Sequence, residues 1–206
     1  MKNNIKVIIF DLGGVIVSAK VEKIPNIMSI YMGIEYSRFD EFMGRYKSDL
    51  TKGKISLIDV YSKIIKQSGL KNLDAEDVVD KHLKIFRKII EDLNEEVLSL
   101  VKKLREDYLV VCLVNAESDV VPLVKKRGIY DYFEHAYIST ELKMEKPNKE
   151  IYSTVLNDLN CRAEEAIFID DKEDNVNSAR RVGINSILYK NFRRLKKDLK
   201  ILGLSI

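Results

Sequence analysis

Val7-Ile8-Ile9-Phe10-Asp11-Leu12-Gly13-Gly14 is an apolar run that ends in a carboxylate, with a glycine pair close behind. A short apolar run without polar alternation fits a parallel strand buried on both faces, and glycines after it let the backbone turn tightly and lie open. A site is expected at the carboxyl end of this strand, because ligands of open α/β sheets sit in the crevice outside the strand ends. The same grammar recurs along the chain. Leu109-Val110-Val111-Cys112-Leu113-Val114 ends in Asn115, and Ala166-Ile167-Phe168-Ile169 ends in Asp170-Asp171. Ile187-Leu188-Tyr189 follows a helix stop at Gly183, and Ala136-Tyr137-Ile138 is a weaker strand.

Helical patterns fill the intervals. Asn94 is a good N-cap for a helix predicted over 95–106, with acidic residues in its first turn and Val97, Leu98, Val101 and Leu104 on one stripe. Helices are also expected over 119–127, 148–159 and 173–182, the last two stopping near Asn160 and Gly183. Strands alternating with helices predict an α/β, Rossmann-like, doubly wound and mostly parallel sheet. Residues 20–91 break that rhythm: Pro25, Gly33, Gly53 and Gly69 punctuate helical patterns, and no buried strand stands out. Asp74-x-x-Asp77 opens the last of these helices in the manner of a capping box. The expected organisation is a core of residues 1–19 plus 92–206 with a small all-α insertion over 20–91.

The chain has 206 residues, of which 46% are hydrophobic and 33% charged, a globular profile. No apolar run approaches the roughly 20 residues of a membrane helix, and Met1 to Lys6 leads into too short an apolar stretch for a secretory signal, so a cytoplasmic protein is expected. Cys112 and Cys161 have no partner at metal-ligand spacing, which points away from zinc or a disulfide framework. The net charge of +3 is mild, and Arg193-Arg194-Leu195-Lys196-Lys197 reads as a solvated helix face, so neither nucleic acid nor membrane is expected as a partner. A monomer or homodimer is expected.

The strand ends carry the chemistry. Asp11, Asn115 and the pair Asp170-Asp171 should meet, and three converging carboxylates repel one another unless a cation intervenes. An all-oxygen set suits Mg²⁺, whose remaining ligands are commonly waters and a substrate phosphate. Lys146, before Pro147 and an Asn148-capped helix, could face an anion together with that helix's N-terminus.

These residues resemble the haloacid dehalogenase-like hydrolase superfamily over nearly the whole chain. The motifs fall in family order: Phe10-Asp11-Leu12-Gly13-Gly14-Val15, then Leu113-Val114-Asn115, then Met144-Glu145-Lys146-Pro147-Asn148, then Phe168-Ile169-Asp170-Asp171 followed by Asn175. The resemblance implies a Mg²⁺-dependent phosphatase for a small phosphorylated metabolite, with the helical insertion as a small cap. It implies that Asp11 attacks phosphorus to form an aspartyl-phosphate and also binds the metal, with the Gly13 carbonyl and Asp171 as further ligands and Asp170 holding a water on the metal. It implies that Lys146 neutralises the phosphoryl group and orients Asp11, and that the backbone amides of Asn115 and Ala116 hold phosphate oxygens.

Two positions depart from the family pattern. Many members carry a second aspartate two residues after the nucleophile as general acid and base, and here Gly13 stands there. Asp-Leu-Gly also resembles a subgroup that includes sugar-1-phosphate phosphatases, so esters with good leaving groups are expected: hemiacetal 1-phosphates, aryl or acyl phosphates. Val114 stands where Ser or Thr usually donates a hydroxyl to phosphate, and Ser118 is a substitute donor to examine. Two other readings stay open: a 2-haloacid dehalogenase, in which the same aspartate attacks carbon without a metal, and a non-catalytic member of the fold. His82 and His135 are read as structural.

Overall fold

The computed structural model describes residues 4–206. Strands β1 (Val7–Phe10), β2 (Leu109–Val114), β3 (Ala136–Ile138), β4 (Ala166–Asp170) and β5 (Asn185–Leu188) form one sheet in the order β3-β2-β1-β4-β5. Every neighbouring pair is parallel. The chain builds outward from β1 through β2 to β3 and then crosses to the other side of β1 for β4 and β5. That reversal opens a crevice at the carboxyl ends of β1 and β4.

Alternation along the strands separates two apolar layers. Ile8, Phe10, Val110, Cys112, Ile167 and Ile169 pack with α5 (Glu95–Leu104), α6 (Val121–Lys126) and α10 (Phe192–Ile201). Val7, Ile9, Val111, Leu113 and Phe168 pack with α8 (Lys149–Asp158) and α9 (Glu173–Val182) on the opposite face. With both faces covered, the strands need the near-continuous apolar runs seen in the sequence. The fold is a Rossmann-like α/β sheet.

Between β1 and α5 lie α1 (Ile24–Met32), α2 (Tyr36–Thr51), α3 (Leu57–Ser68) and α4 (Ala75–Ile89). Their buried residues, among them Met28, Phe39, Leu57, Val60, Ile64 and Val78, join the same apolar cluster as one face of the sheet. Polar ties gather at the α2–α3 junction. Ser48 Oγ donates to Glu145 at 2.6 Å, and Leu57 N donates to Asp119 at 3.0 Å. Ser139, at the start of the short helix α7 (Ser139–Leu142), donates its hydroxyl to Thr51 O at 2.6 Å.

Several element ends differ from the sequence reading. The helix expected over 119–127 is only α6, Val121–Lys126, because the Asp119 carboxylate turns away to the N-terminus of α3 and does not cap its own helix. The helix expected over 95–106 closes at Leu104, where the amides of Asp107 and Tyr108 fold back onto the Leu104 carbonyl and lead into β2. Asp74 does cap α4 through the amides of Glu76 and Asp77, but the reciprocal box is formed at α3, by Ser56 and Asp59. β5 starts at Asn185, two residues before the expected run. Among the described residues no helix is long and apolar enough to cross a membrane.

Candidate active site

Asp11 is the first residue beyond β1, and its amide donates to Ile169 O of β4 at 2.8 Å, which sets it beside the end of that strand. The chain then wraps around one carbonyl: Leu12 O accepts the amides of Val15, Ile16 and Val17 at 3.3, 2.9 and 2.8 Å. Gly14 has φ 75°, a left-handed conformation that glycine adopts without strain, and a Cβ there would collide with the Asp171 carboxylate. The second glycine is thus required twice, by the turn and by the carboxylate over it.

Lys146 lies between the carboxylates, only 3% exposed. Its ammonium donates to Asp11 Oδ1 at 2.7 Å, Asp170 Oδ2 at 2.8 Å and Leu113 O at 2.7 Å. An ammonium has three N–H donors, so all are engaged. Burial alone would lower the Lys146 pKa, but Asp11 and Asp170 outweigh it and hold the ammonium above its ordinary range. Burial pushes Asp11 up to about 6 against the pull of Lys146, with Asp170 and Asp171 adding repulsion. Asp171 is raised as well, first by burial and then by Asp170.

Oxygens of Asp11, Asp170 and Asp171 lie within 4.8 Å of one another. Asp171 Oδ1 is buried with no hydrogen-bond partner among the described residues, a state that native structures rarely leave without a reason such as a bound ion. A hard divalent cation fits that deficit: the donors are all carboxylate oxygens, their mutual repulsion is what a cation relieves, and one of them lacks a partner among the described residues. Asp170 is the opposite case. It is fully buried and accepts from Lys146, from the Lys172 amide at 2.8 Å and from Asn175 Nδ2 at 3.0 and 2.9 Å.

Residues 8–189, which span all of these side chains, match the haloacid dehalogenase-like hydrolases. The chain belongs to that family. It is 26% identical to a D-ribitol-5-phosphate phosphatase of Bacteroides thetaiotaomicron, over 96% of this chain and 98% of the relative. It is also 26% identical to a sesquiterpene phosphatase of Aspergillus oryzae, over 89% of each. A crystal structure of a haloacid dehalogenase family enzyme from Bacteroides thetaiotaomicron, in complex with magnesium and inorganic phosphate, superposes with a TM-score of 0.71. It is 27% identical and covers 93% of this chain and 98% of its own.

Within this haloacid dehalogenase-like hydrolase, the sequence-predicted residues Asp11, Lys146, Asp170 and Asp171 come together, with Gly13 in the turn between. Asn115 and Ala116 do something more specific than their motif suggests. The Asn115 side chain accepts the Lys146 amide at 3.0 Å and donates to the Lys146 carbonyl at 2.8 Å, so it fixes the backbone that carries the ammonium. The Ala116 amide, expected to face phosphate, donates to Ser139 Oγ at 3.1 Å. Val114 is buried in the apolar layer, and Ser118 donates its hydroxyl to Asp119. A Ser118 hydroxyl serving phosphate would first have to leave Asp119, which lies 3.4 Å away. Asn175 and Ser139 carry roles that sequence reasoning left blank. Asn175 clamps both oxygens of Asp170, and its own carbonyl is held by Tyr152 Oη at 3.0 Å.

Proposed function

We propose that this chain is a Mg²⁺-dependent phosphomonoesterase that hydrolyses a small phosphorylated metabolite through an aspartyl-phosphate on Asp11. The observation that supports it most directly is the ammonium of Lys146 bridging Asp11 and Asp170 beside the unpartnered Asp171 oxygen. Lys146 holds Asp11 Oδ1, so Oδ2, on the Gly13 side, is the oxygen left for bond formation or for a cation. In this reading Asp11, Asp171 and the Gly13 carbonyl hold Mg²⁺, with Asp170 behind them. Bound there, the cation would offset negative charge on the transferring phosphoryl group. Asn115 and Asn175 keep Lys146 and Asp170 in register, and the backbone amides of Asn115 and Ala116 approach the phosphate. For Ala116 this requires that its amide be shared with Ser139. The helices of residues 20–91 act as a cap over the crevice, tied to the core at Thr51 and Leu57.

The ribitol phosphatase relative favours a phosphorylated polyol or sugar as substrate. Gly13, which has no side chain to protonate a leaving oxygen, favours a second reading: sugar 1-phosphates and other esters with good leaving groups. A panel containing D-ribitol 5-phosphate, a sugar 1-phosphate and 4-nitrophenyl phosphate, with Mg²⁺ or with EDTA, separates these. Phosphate release that needs Mg²⁺ and vanishes in Asp11→Asn is the expected result. Metal-independent halide release from a 2-haloacid would overturn the reading in favour of a dehalogenase, and ester binding without turnover would favour a non-catalytic member.

A further inference from the structure

Attack by Asp11 must run in line, so the leaving oxygen departs on the side away from the strand end, toward the inserted helices. A group that protonates it has to lie on that side, in the loops facing α2 and α3. The loop after β2 qualifies. Lys146 binds both Leu113 O and Asp11, which fixes this loop next to the nucleophile, and Asp119 on the same loop reaches across to Leu57 of α3.

The titratable side chains around this mouth differ in how far each is already engaged. Asp119 accepts the Leu57 amide and the Ser118 hydroxyl, so it is engaged as a helix cap. Glu22 stands exposed, 3.9 Å from Lys172. His82 is buried against Tyr61, with Nδ1 2.7 Å from the phenol oxygen, and burial lowers it to about 4, so it carries no proton to give near neutrality. Glu117 differs from all of these. It is half-buried, two residues beyond Asn115, and among the described residues no side chain donates a hydrogen bond to it. The charged and titratable groups that act on it or feel it come from four places: Lys47 on α2, Tyr61 on α3, Asp119 in its own loop and Lys172 in the loop after β4.

We propose that Glu117 is the general acid and base of this site, standing in for the aspartate that Gly13 replaces; the proposal rests on the phosphatase reading above. As Asp11 Oδ forms its bond to phosphorus, the phosphorus–oxygen bond to the leaving group breaks, and the Glu117 carboxyl proton passes to the leaving oxygen to give the free alcohol. In the second half, the Glu117 carboxylate takes a proton from water as the water oxygen attacks phosphorus. The bond to Asp11 breaks, inorganic phosphate leaves, and both side chains return to their starting states. Burial raises the Glu117 pKa, with Asp119 adding to it and Lys47 and Lys172 opposing, so the protonated form is more available than for an exposed glutamate.

The test compares wild type, Glu117→Gln and Asp11→Asn, all with Mg²⁺, on D-ribitol 5-phosphate and 4-nitrophenyl phosphate, with unfolding temperature as a check on folding. An alkoxide needs the proton, whereas nitrophenolate leaves without it. Glu117→Gln should lower kcat/KM for the alkyl ester by about 10²–10⁴-fold. On the aryl ester it should keep a burst of nitrophenolate followed by slow turnover, with phosphorylated enzyme accumulating in the intact mass spectrum. Equal losses on both esters without accumulation, or no loss at all, would overturn the role of Glu117 while leaving the phosphatase reading intact. A wild type that releases no phosphate from either ester, or an Asp11→Asn variant that still does, would overturn that reading and this proposal with it.

Discussion

Lys146 shows how much a single buried ammonium can be asked to hold. Its three bonds close two carboxylates and a strand-end carbonyl around it, and Phe168 lies beneath it at 5.3 Å from the ring centroid. Removing it leaves Asp11 and Asp170 facing each other in a site that water scarcely reaches. Breaking a buried pair in this way typically costs about 3–5 kcal/mol, because the partner charges stay behind uncompensated. Lys146→Met is therefore expected to lose that order of stability in urea denaturation and to lose phosphate release altogether. A variant as stable as wild type would mean that Asp11 and Asp170 do not depend on the ammonium. The lysine was legible in the sequence, since it precedes Pro147 and an Asn148-capped helix opposite two acidic strand ends. Its anchor was not: the bond from Asn115 to its backbone spans 31 positions, and no local pattern carries that separation.

Between α3 and α4 the pairing of Tyr61 with His82 makes the inserted helices sensitive to acid. His82 is 5% exposed and neutral, held by the Tyr61 hydroxyl, and burial lowers its pKa from 6.5 to about 4 despite the opposite pull of Asp119. Above pH 6.5 the imidazole is neutral in folded and unfolded chains alike, so its contribution to stability is complete there. Between 6.5 and about 4 the unfolded chain takes a proton that the folded chain refuses, and stability falls as the pH drops. At about 1.4 kcal/mol for each pKa unit, the loss by the end of that window is on the order of 3 kcal/mol. His82→Gln should show a flatter decline in unfolding free energy over this range; parallel curves for the two proteins would place the acid sensitivity elsewhere. Helix interiors of this kind follow from periodicity, which is why α5, α8 and α9 lie close to their expected places. Ends follow from side-chain bonds. α6 is shorter than its pattern because Asp119 is occupied by α3, and the reciprocal cap is found at Ser56 because Asp59 turns back to it.

At the scale of the molecule, parallel order does most of the assembly. With β1 between β2 and β4, three loops that are far apart in sequence open into one crevice, and the acidic and amide residues that each contributes meet those of the others. That convergence follows from where the apolar runs stop, so the carboxylates could be placed from sequence. The bonds of Ser139 to Thr51 and Ala116, and the clamp of the motif residue Asn175 on Asp170, could not, since they exist only once distant elements have come together. The assembled site is also a liability without a cation: the pKa values of Asp11 and Asp171 are both raised, and one Asp171 oxygen has no partner among the described residues. A ligand that binds only the folded state stabilises it by about 2.7 kcal/mol at a hundredfold excess over Kd. For a chain of this size that corresponds to a rise in Tm of roughly 5–10 °C. Thermal unfolding with Mg²⁺ against EDTA should show this rise, and Asp171→Asn should abolish it while leaving the EDTA value equal or higher, because one repelling charge has gone. A rise of the same size in Asp171→Asn would mean that Mg²⁺ acts away from this cluster.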